Sequence, residues 1–379
     1  MYELDLNLYN LVIIASVFIG LIFGLLLIFT KRINQNANRY LGGLALIIVF
    51  WNIWVLSLDL DIFRYFPKFY LIPVNFSLAL GPLFYLYIKK MTRPEWSFSK
   101  KDGLHFLPLL FELMVHVILC QEALEKGTLA TDTTAFYTLI PAVQLFAIIS
   151  ILVYCYHGLS LIRKYHVWLK ATYSNDDKYN LRWLYRLTII FALFWFMLVP
   201  YTLIDFLVFD FSLGIGDYYP IYILLSVITL WISIEAFLKP EVVFVDSIQE
   251  DTTTTEDEKP KPTQEALDKA AWLQQEMERN LFYLDSELSL TSLAQDLDIH
   301  PNSLSKIINE GLGKNFSDFI NDYRVHAVID RLKDSTHDHI TLLGISFECG
   351  FNSKTTFNRV FKNVTGKTPI DFKKTVSKR

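Results

Sequence analysis

Seven long apolar runs, at roughly residues 8–30, 40–58, 69–88, 103–120, 136–157, 183–208 and 218–238, constrain this chain more than any other feature. A helix needs about 20 apolar residues to cross the hydrocarbon core of a bilayer. Only helices and closed barrels keep their backbone polar groups satisfied there. Each run has the length of one crossing, so residues 1–239 are expected to form a seven-helix transmembrane bundle. Pro73, Pro82, Pro108 and Pro141 fall inside these runs, which membrane helices tolerate where neighbours satisfy the freed backbone groups.

Composition matters here mainly through its segregation. The 379 residues are 52% hydrophobic and 20% charged, but the polar residues concentrate after about residue 238, so the net charge of −4 sums two unlike halves. Cys120, Cys155 and Cys349 have neither metal-site spacing nor a disulfide framework, and no metal or cofactor is expected. No HExxH, no GxSxG and no serine–histidine pair on adjacent turns stands out, so no catalytic residue is assigned and an enzyme is not expected. Glu3 and Asp5 occupy the place of a basic signal-peptide flank, and the first run is too long for a signal core.

Loop charge gives the runs a direction. Lys31, Arg32 and Arg39 follow the first run, Lys89, Lys90, Arg93, Lys100 and Lys101 the third, and Arg163, Lys164, Lys170, Lys178 and Arg182 the fifth. The other side carries only Arg64, Lys68 and Lys126. Basic loops stay cytoplasmic, so the N-terminus is expected outside and, after an odd number of crossings, the C-terminal residues inside.

Residues 240–263 are acidic, threonine-rich and punctuated by proline, as in DSIQEDTTTTEDEKPKPT, and read as a flexible linker. Residues 264–379 then read as a compact helical domain. EALDKAAWLQQEMERNLFYL has helical period, with Leu267, Ala271, Met277 and Leu281 among its apolar positions. Ser289 is a candidate cap and Pro301 a first-turn proline. An internal repeat follows. LSKIINEGLGKNFSDF (304–319) aligns with FNRVFKNVTGKTPIDF (357–372), pairing Gly313 with Gly366, Lys314 with Lys367, Asp318 with Asp371 and Phe319 with Phe372. After a one-residue slip Asp298 faces Gly350, both residue types that accept a left-handed turn. The domain therefore reads as two helix-turn-helix units, about 290–313 and 341–366, joined by one helix.

The second helix of such a unit enters the DNA major groove and presents residues near its start to base edges. The outward positions are Asn302, Ser303, Ser305 and Lys306 in the first unit and Lys354, Thr355, Asn358 and Arg359 in the second. Arg or Lys can pair with guanine, Asn with adenine, and Thr can meet a thymine methyl. Lys314, Lys362 and Lys367 are candidate phosphate contacts. From Ser353 onward eight basic residues face Asp371 alone, whereas residues 264–352 hold seven basic and fifteen acidic residues. Phosphate attraction should concentrate on the second unit.

GFNSKTTFNRVFKNVTGKTPIDFKK closely resembles the signature of AraC-type transcription regulators, and LGKNFSDFINDYRV is similar to the segment that precedes it. The resemblance covers the last third of the chain. It implies two units docking in successive major grooves of double-stranded DNA, with Asn302, Ser305, Lys306, Lys354, Thr355, Asn358 and Arg359 at base-reading positions. His300 stands where a serine cap is common and Lys306 where arginine is frequent. Membrane spans in place of a soluble sensor domain resemble regulators of the Bacteroidetes, which implies a bacterial inner membrane.

Polar residues within the spans default to functional candidates. Asn52, Asn75, His116, Gln144 and Asp205 fall in the outer half, with Glu112 one helical turn from His116 and nearer mid-membrane; together they mark a candidate ligand pocket, with interhelical hydrogen bonding as the alternative. Gly20 and Gly24 form a GxxxG match for close helix packing. The expected protein is a one-component membrane sensor and transcription regulator, whose partners are DNA, lipid and a signal ligand of unspecified chemistry. A homodimer and a monomer are both compatible with two units per chain. Three other readings stay open: a membrane-anchored constitutive regulator, one released by cleavage in the linker, and a protein-interaction module that binds no DNA.

Overall fold

The computed structural model describes residues 6–31, 35–129, 133–175, 179–209, 213–238, 263–337 and 339–376. The expected linker at 240–263 lies outside the described residues except for Thr263. Among the described residues the chain is helical throughout, with one isolated β-bridge. It divides into two compact units: residues 1–163 with 182–244, and residues 164–181 with 245–379.

The first unit contains α1 (Leu8–Phe29), α2 (Gln35–Asp59), α3 (Ile62–Tyr65), α4 (Leu80–Thr92), α5 (Leu107–Lys126), most of α6 (Thr134–Thr172), α7 (Arg182–Phe209) and α8 (Ile215–Leu238). Five helical stretches are long and apolar enough to cross a membrane: Leu8–Phe29, Gln35–Asp59, Asp102–Lys126, Thr134–Thr172 and Arg182–Phe209. A shorter apolar stretch, Gly216–Ile232, lies within α8. Exposed apolar side chains cover the outer faces, for example Leu11, Phe18 and Ile22 on α1 and Phe196, Leu203 and Leu207 on α7. Contiguous apolar surface on this scale is uncommon on a water-exposed protein.

The third expected span is not one helix. The chain from Pro67 to Leu71 is a 3-10 turn, residues 73–76 have no regular structure, Ser77–Ala79 form a second 3-10 turn, and the 13-residue α4 begins only at Leu80. Glu112 of α5 makes this break tolerable. Its carboxylate accepts from the Ser77 amide (2.9 Å), the Ser77 hydroxyl (2.7 Å) and the Leu78 amide (3.0 Å). Backbone donors left over by the missing helical turns are thereby satisfied.

Helix α6 differs in the other direction. Its 39 residues run roughly 58 Å at 1.5 Å per residue, well beyond a ~30 Å hydrocarbon core. The GxxxG match has a structural counterpart: a Cβ placed on Gly24 would come within 3.0 Å of Leu46, and one on Gly42 within 2.7 Å of the Gly24 carbonyl. Small residues thus let α1 and α2 approach closely.

The second unit holds α9 (Gln264–Asn280), α10 (Leu290–Asp296), α11 (Pro301–Lys306) continued by a π turn (Ile307–Gly311), α12 (Phe316–Lys333), α13 (Leu342–Glu348), α14 (Lys354–Thr365) and α15 (Pro369–Val376). In α9 the inward stripe is Ala270, Leu273 and Met277. Of the four apolar positions expected there only Met277 is buried; Leu267, Ala271 and Leu281 are exposed instead, and Leu281 ends the helix with φ of 53°. Two cores form. Leu273, Met277, Leu293, Leu304 and Ile308 pack around the first half of α12 through Phe316, Phe319 and Ile320. Ile345, Phe351, Phe357 and Phe361 pack around its second half through Val325 and Val328.

Candidate nucleic-acid interface

Each helix-turn-helix unit is assembled from local signals. Ser289 caps α10 in a reciprocal pair with Ser292, Thr341 caps α13 through the Gly344 amide, and Ser353 caps α14 through the Thr356 amide. His300 caps α11: its side chain accepts from the Asn302 amide at 3.2 Å, so the imidazole supplies the capping acceptor. Asp298 and Gly350 are both left-handed, with φ of 53° and 89°, as their alignment in the repeat implies. Gly313 and Gly366 are left-handed as well, at 67° and 74°.

These turns set the second helices so that Asn302, Ser303, Lys306, Lys354, Thr355 and Asn358 are exposed, while Ser305 and Arg359 are half-buried. Leu304 and Ile308, and in the second unit Phe357, Val360 and Phe361, point into the cores and hold the helices in place. The candidate phosphate contacts are unequal. Lys362 and Lys367 are exposed, whereas Lys314 is hydrogen-bonded to Asp322.

Sequence reasoning missed the residue that ties the units together, Arg324 of α12. It is 1% exposed. Its Nε donates to the Tyr283 carbonyl (2.8 Å) and its Nη2 to the Asp285 carbonyl (2.7 Å). Gly350, in the turn of the second unit, sits against the same group: a Cβ there would lie 2.9 Å from Arg324 Nε and 2.3 Å from the Tyr283 carbonyl. Burial pulls the Arg324 guanidinium down to about 10, so it still carries its charge at neutral pH. Burial likewise pushes the nearby Cys349 thiol up to about 11. An arginine amid Ile320, Val325 and Val328 was the available clue, because a buried charge requires such partners.

Residues 293–375 match the family model described as Helix-turn-helix domain. The C-terminal part of the chain is a helix-turn-helix domain. The proteins that match it are named as transcriptional regulators. The chain is also similar to an uncharacterized HTH-type transcriptional regulator of Staphylococcus aureus, 33% identical over 92 residues. A second relative, the uncharacterized HTH-type transcriptional regulator YtdP of Bacillus subtilis, is 29% identical over 89 residues. Each match covers 24% of this chain and only 12% or 11% of the relative. No solved structure matches.

Four of the six candidate pocket residues, Asn52, Glu112, His116 and Asp205, engage partners of their own. Asn52 donates to Ser226 Oγ (2.8 Å), linking α2 to α8. Asp205 accepts from the Tyr218 hydroxyl and from the Leu213 amide (3.3 Å). His116 Nε2 lies 3.3 Å from the Leu71 carbonyl. Glu112 is taken up by the start of α4, and Gln144 is half-buried on α6. The Oδ1 atoms of Asn52 and Asn75 are buried and find no donor among the described residues. A polar group missed in sequence lies at the start of α1, where Asn10 Nδ2 donates to Asp59 (2.5 Å) and to the Tyr219 hydroxyl (3.3 Å).

Proposed function

We propose that this chain is a membrane-embedded, one-component sensor and sequence-specific DNA-binding transcription regulator. It is multi-pass in a bacterial inner membrane, with its N-terminus outside and its double helix-turn-helix in the cytoplasm. The observation that carries the reading is one chain holding both a helix-turn-helix domain and five helices long and apolar enough to cross a membrane. Seven crossings follow if the broken segment ending in α4 and the helix α8 also span. The asymmetry of basic residues among the loops supports that topology.

In this reading Asn302, Ser303, Ser305, Lys306, Lys354, Thr355, Asn358 and Arg359 read bases, and Lys362 and Lys367 hold phosphates with a smaller share for Lys314. The first unit perceives the signal. Asn52 and Asn75 are its leading ligand contacts, because each brings an unsatisfied buried acceptor. A homodimer would place four units on one operator.

Fractionation with reporter fusions tests the reading. The full-length chain should stay in the membrane pellet through alkaline carbonate extraction. A C-terminal green fluorescent fusion should fluoresce, and an N-terminal alkaline phosphatase fusion should be active. Release of the chain by carbonate would exclude a membrane-spanning regulator.

A further inference from the structure

The second compact unit contains more than the C-terminal helices. Lys164–Leu181, the end of α6 and the connection to α7, belongs to it. This connection is built at both ends. The Tyr165 hydroxyl donates to the Tyr179 carbonyl (2.6 Å), the Leu181 amide donates to His166 Nε2 (3.1 Å), and the Tyr173 and Tyr179 rings lie 4.8 Å apart.

Ser174, at the tip of α6, has no exposed surface and spends every polar group on the helix-turn-helix domain. Its amide and its hydroxyl both donate to the Leu288 carbonyl, at 3.2 and 2.7 Å. The same hydroxyl accepts from Arg324 Nη2 (3.0 Å). Its carbonyl accepts from Asn321 Nδ2 (3.3 Å) and Ser317 Oγ (3.4 Å). Tyr173 forms a single antiparallel bridge with Ser289, the residue that caps α10. Ser317, Asn321 and Arg324 are one stripe of α12, spaced four and three residues apart.

We infer that this stripe of α12 and the Leu288 carbonyl form a docking surface for the Tyr173–Asn175 segment, and that this contact relays the state of the membrane helices to the double helix-turn-helix. The inference rests on the regulator reading above. Three observations favour a relay over a passive contact. First, the segment lies in the chain between α6 and α7, two of the apolar helices, and α6 is helical from Thr134 to Thr172 with Pro141 its one internal proline, so the helix beyond Pro141 runs without a break to the residue before Tyr173. Second, Ser174 bonds to the guanidinium that joins the Tyr283–Asp285 turn to the Gly350 turn, the point that sets one unit against the other. Third, the contact is imperfect: the Oδ1 atoms of Asn175 and Asn321 are buried and find no donor among the described residues. A docked state carrying two unsatisfied acceptors is poised to release. The recognition side chains stay exposed or half-buried while the segment is docked, so the relay works by setting the spacing of the two units rather than by covering them.

The test uses the full-length protein in lipid nanodiscs and a genomic DNA fragment captured by the wild type. Hydrogen exchange on the wild type should protect the Ser174 amide at least ~100-fold over a free peptide; exchange at the free rate overturns the docking. Ser174→Arg and Asn321→Leu break the contact from opposite sides. Both should raise exchange at Tyr173–Asn175 and shift the Kd for the fragment at least ~5-fold, in the same direction. Release of the segment with an unchanged Kd in both variants overturns the relay. A wild-type protein that captures no DNA defeats the regulator reading instead, and the exchange result still decides the docking.

Discussion

Arg359, Arg324 and Cys349 are three side chains with three separate consequences. Arg359 is half-buried midway along α14, and the proposed base reading has its guanidinium pair with a guanine edge. Arg359→Ala should weaken specific binding by about 1–3 kcal/mol in a gel shift and relax preference at one base pair. Arg324 is different, because truncating it removes the bridge between the two cores and leaves buried carbonyls unpaired. Arg324→Leu should destabilise the C-terminal helices by about 3 kcal/mol or more, seen by pulse proteolysis in urea. Cys349 has its thiol raised by burial to about 11, so the contribution of its neutral form is complete below the unfolded value near 9. As pH rises from 9 to 11, the unfolded chain loses this proton first, and roughly 2–3 kcal/mol of stability disappears. Cys349→Ala should flatten that part of the pH profile, measured by the same proteolysis at pH 8 to 11.

At the scale of elements, the turn at Gly350 and the charge on α14 carry the sharpest expectations. With φ of 89° and a Cβ position 2.3 Å from the Tyr283 carbonyl, Gly350→Ala should cost about 3 kcal/mol or more. Lys362→Ala and Lys367→Ala should each lower the slope of log K against log salt by about one, without changing base preference. Lys314→Ala should do less, since Asp322 already holds that ammonium. Elements were legible where their signal is local. The repeat at an offset of 53 residues placed α11 and α14, and the pairing of Asp298 with Gly350 anticipated two left-handed turns. They were not legible where a distant group decides. A hydropathy window over 69–88 cannot register that Glu112 lets the chain stay unwound as far as Ser77. Nor does an apolar window register α6 continuing through Arg163, Lys164 and Lys170 to Thr172.

At the scale of the whole molecule, what sequence hid is long-range. The partners of Arg324 lie 39, 41 and 150 residues away along the chain, and no periodicity reports such pairings. The candidate pocket is similar: intramembrane polarity was visible, but whether Asn52 meets Ser226 or a ligand depends on a helix 174 residues on. Segregation of apolar and polar sequence, by contrast, was visible at once, and so was the domain that ends the chain. In the proposed function this domain reads DNA while joined to the membrane. Genome-wide mapping of DNA crosslinked to the full-length protein, recovered from the membrane fraction of cells, tests it directly. Discrete enriched sites that Arg359→Ala depletes are the predicted result; no enrichment over an untagged strain, from cells in which the protein is intact, would contradict it.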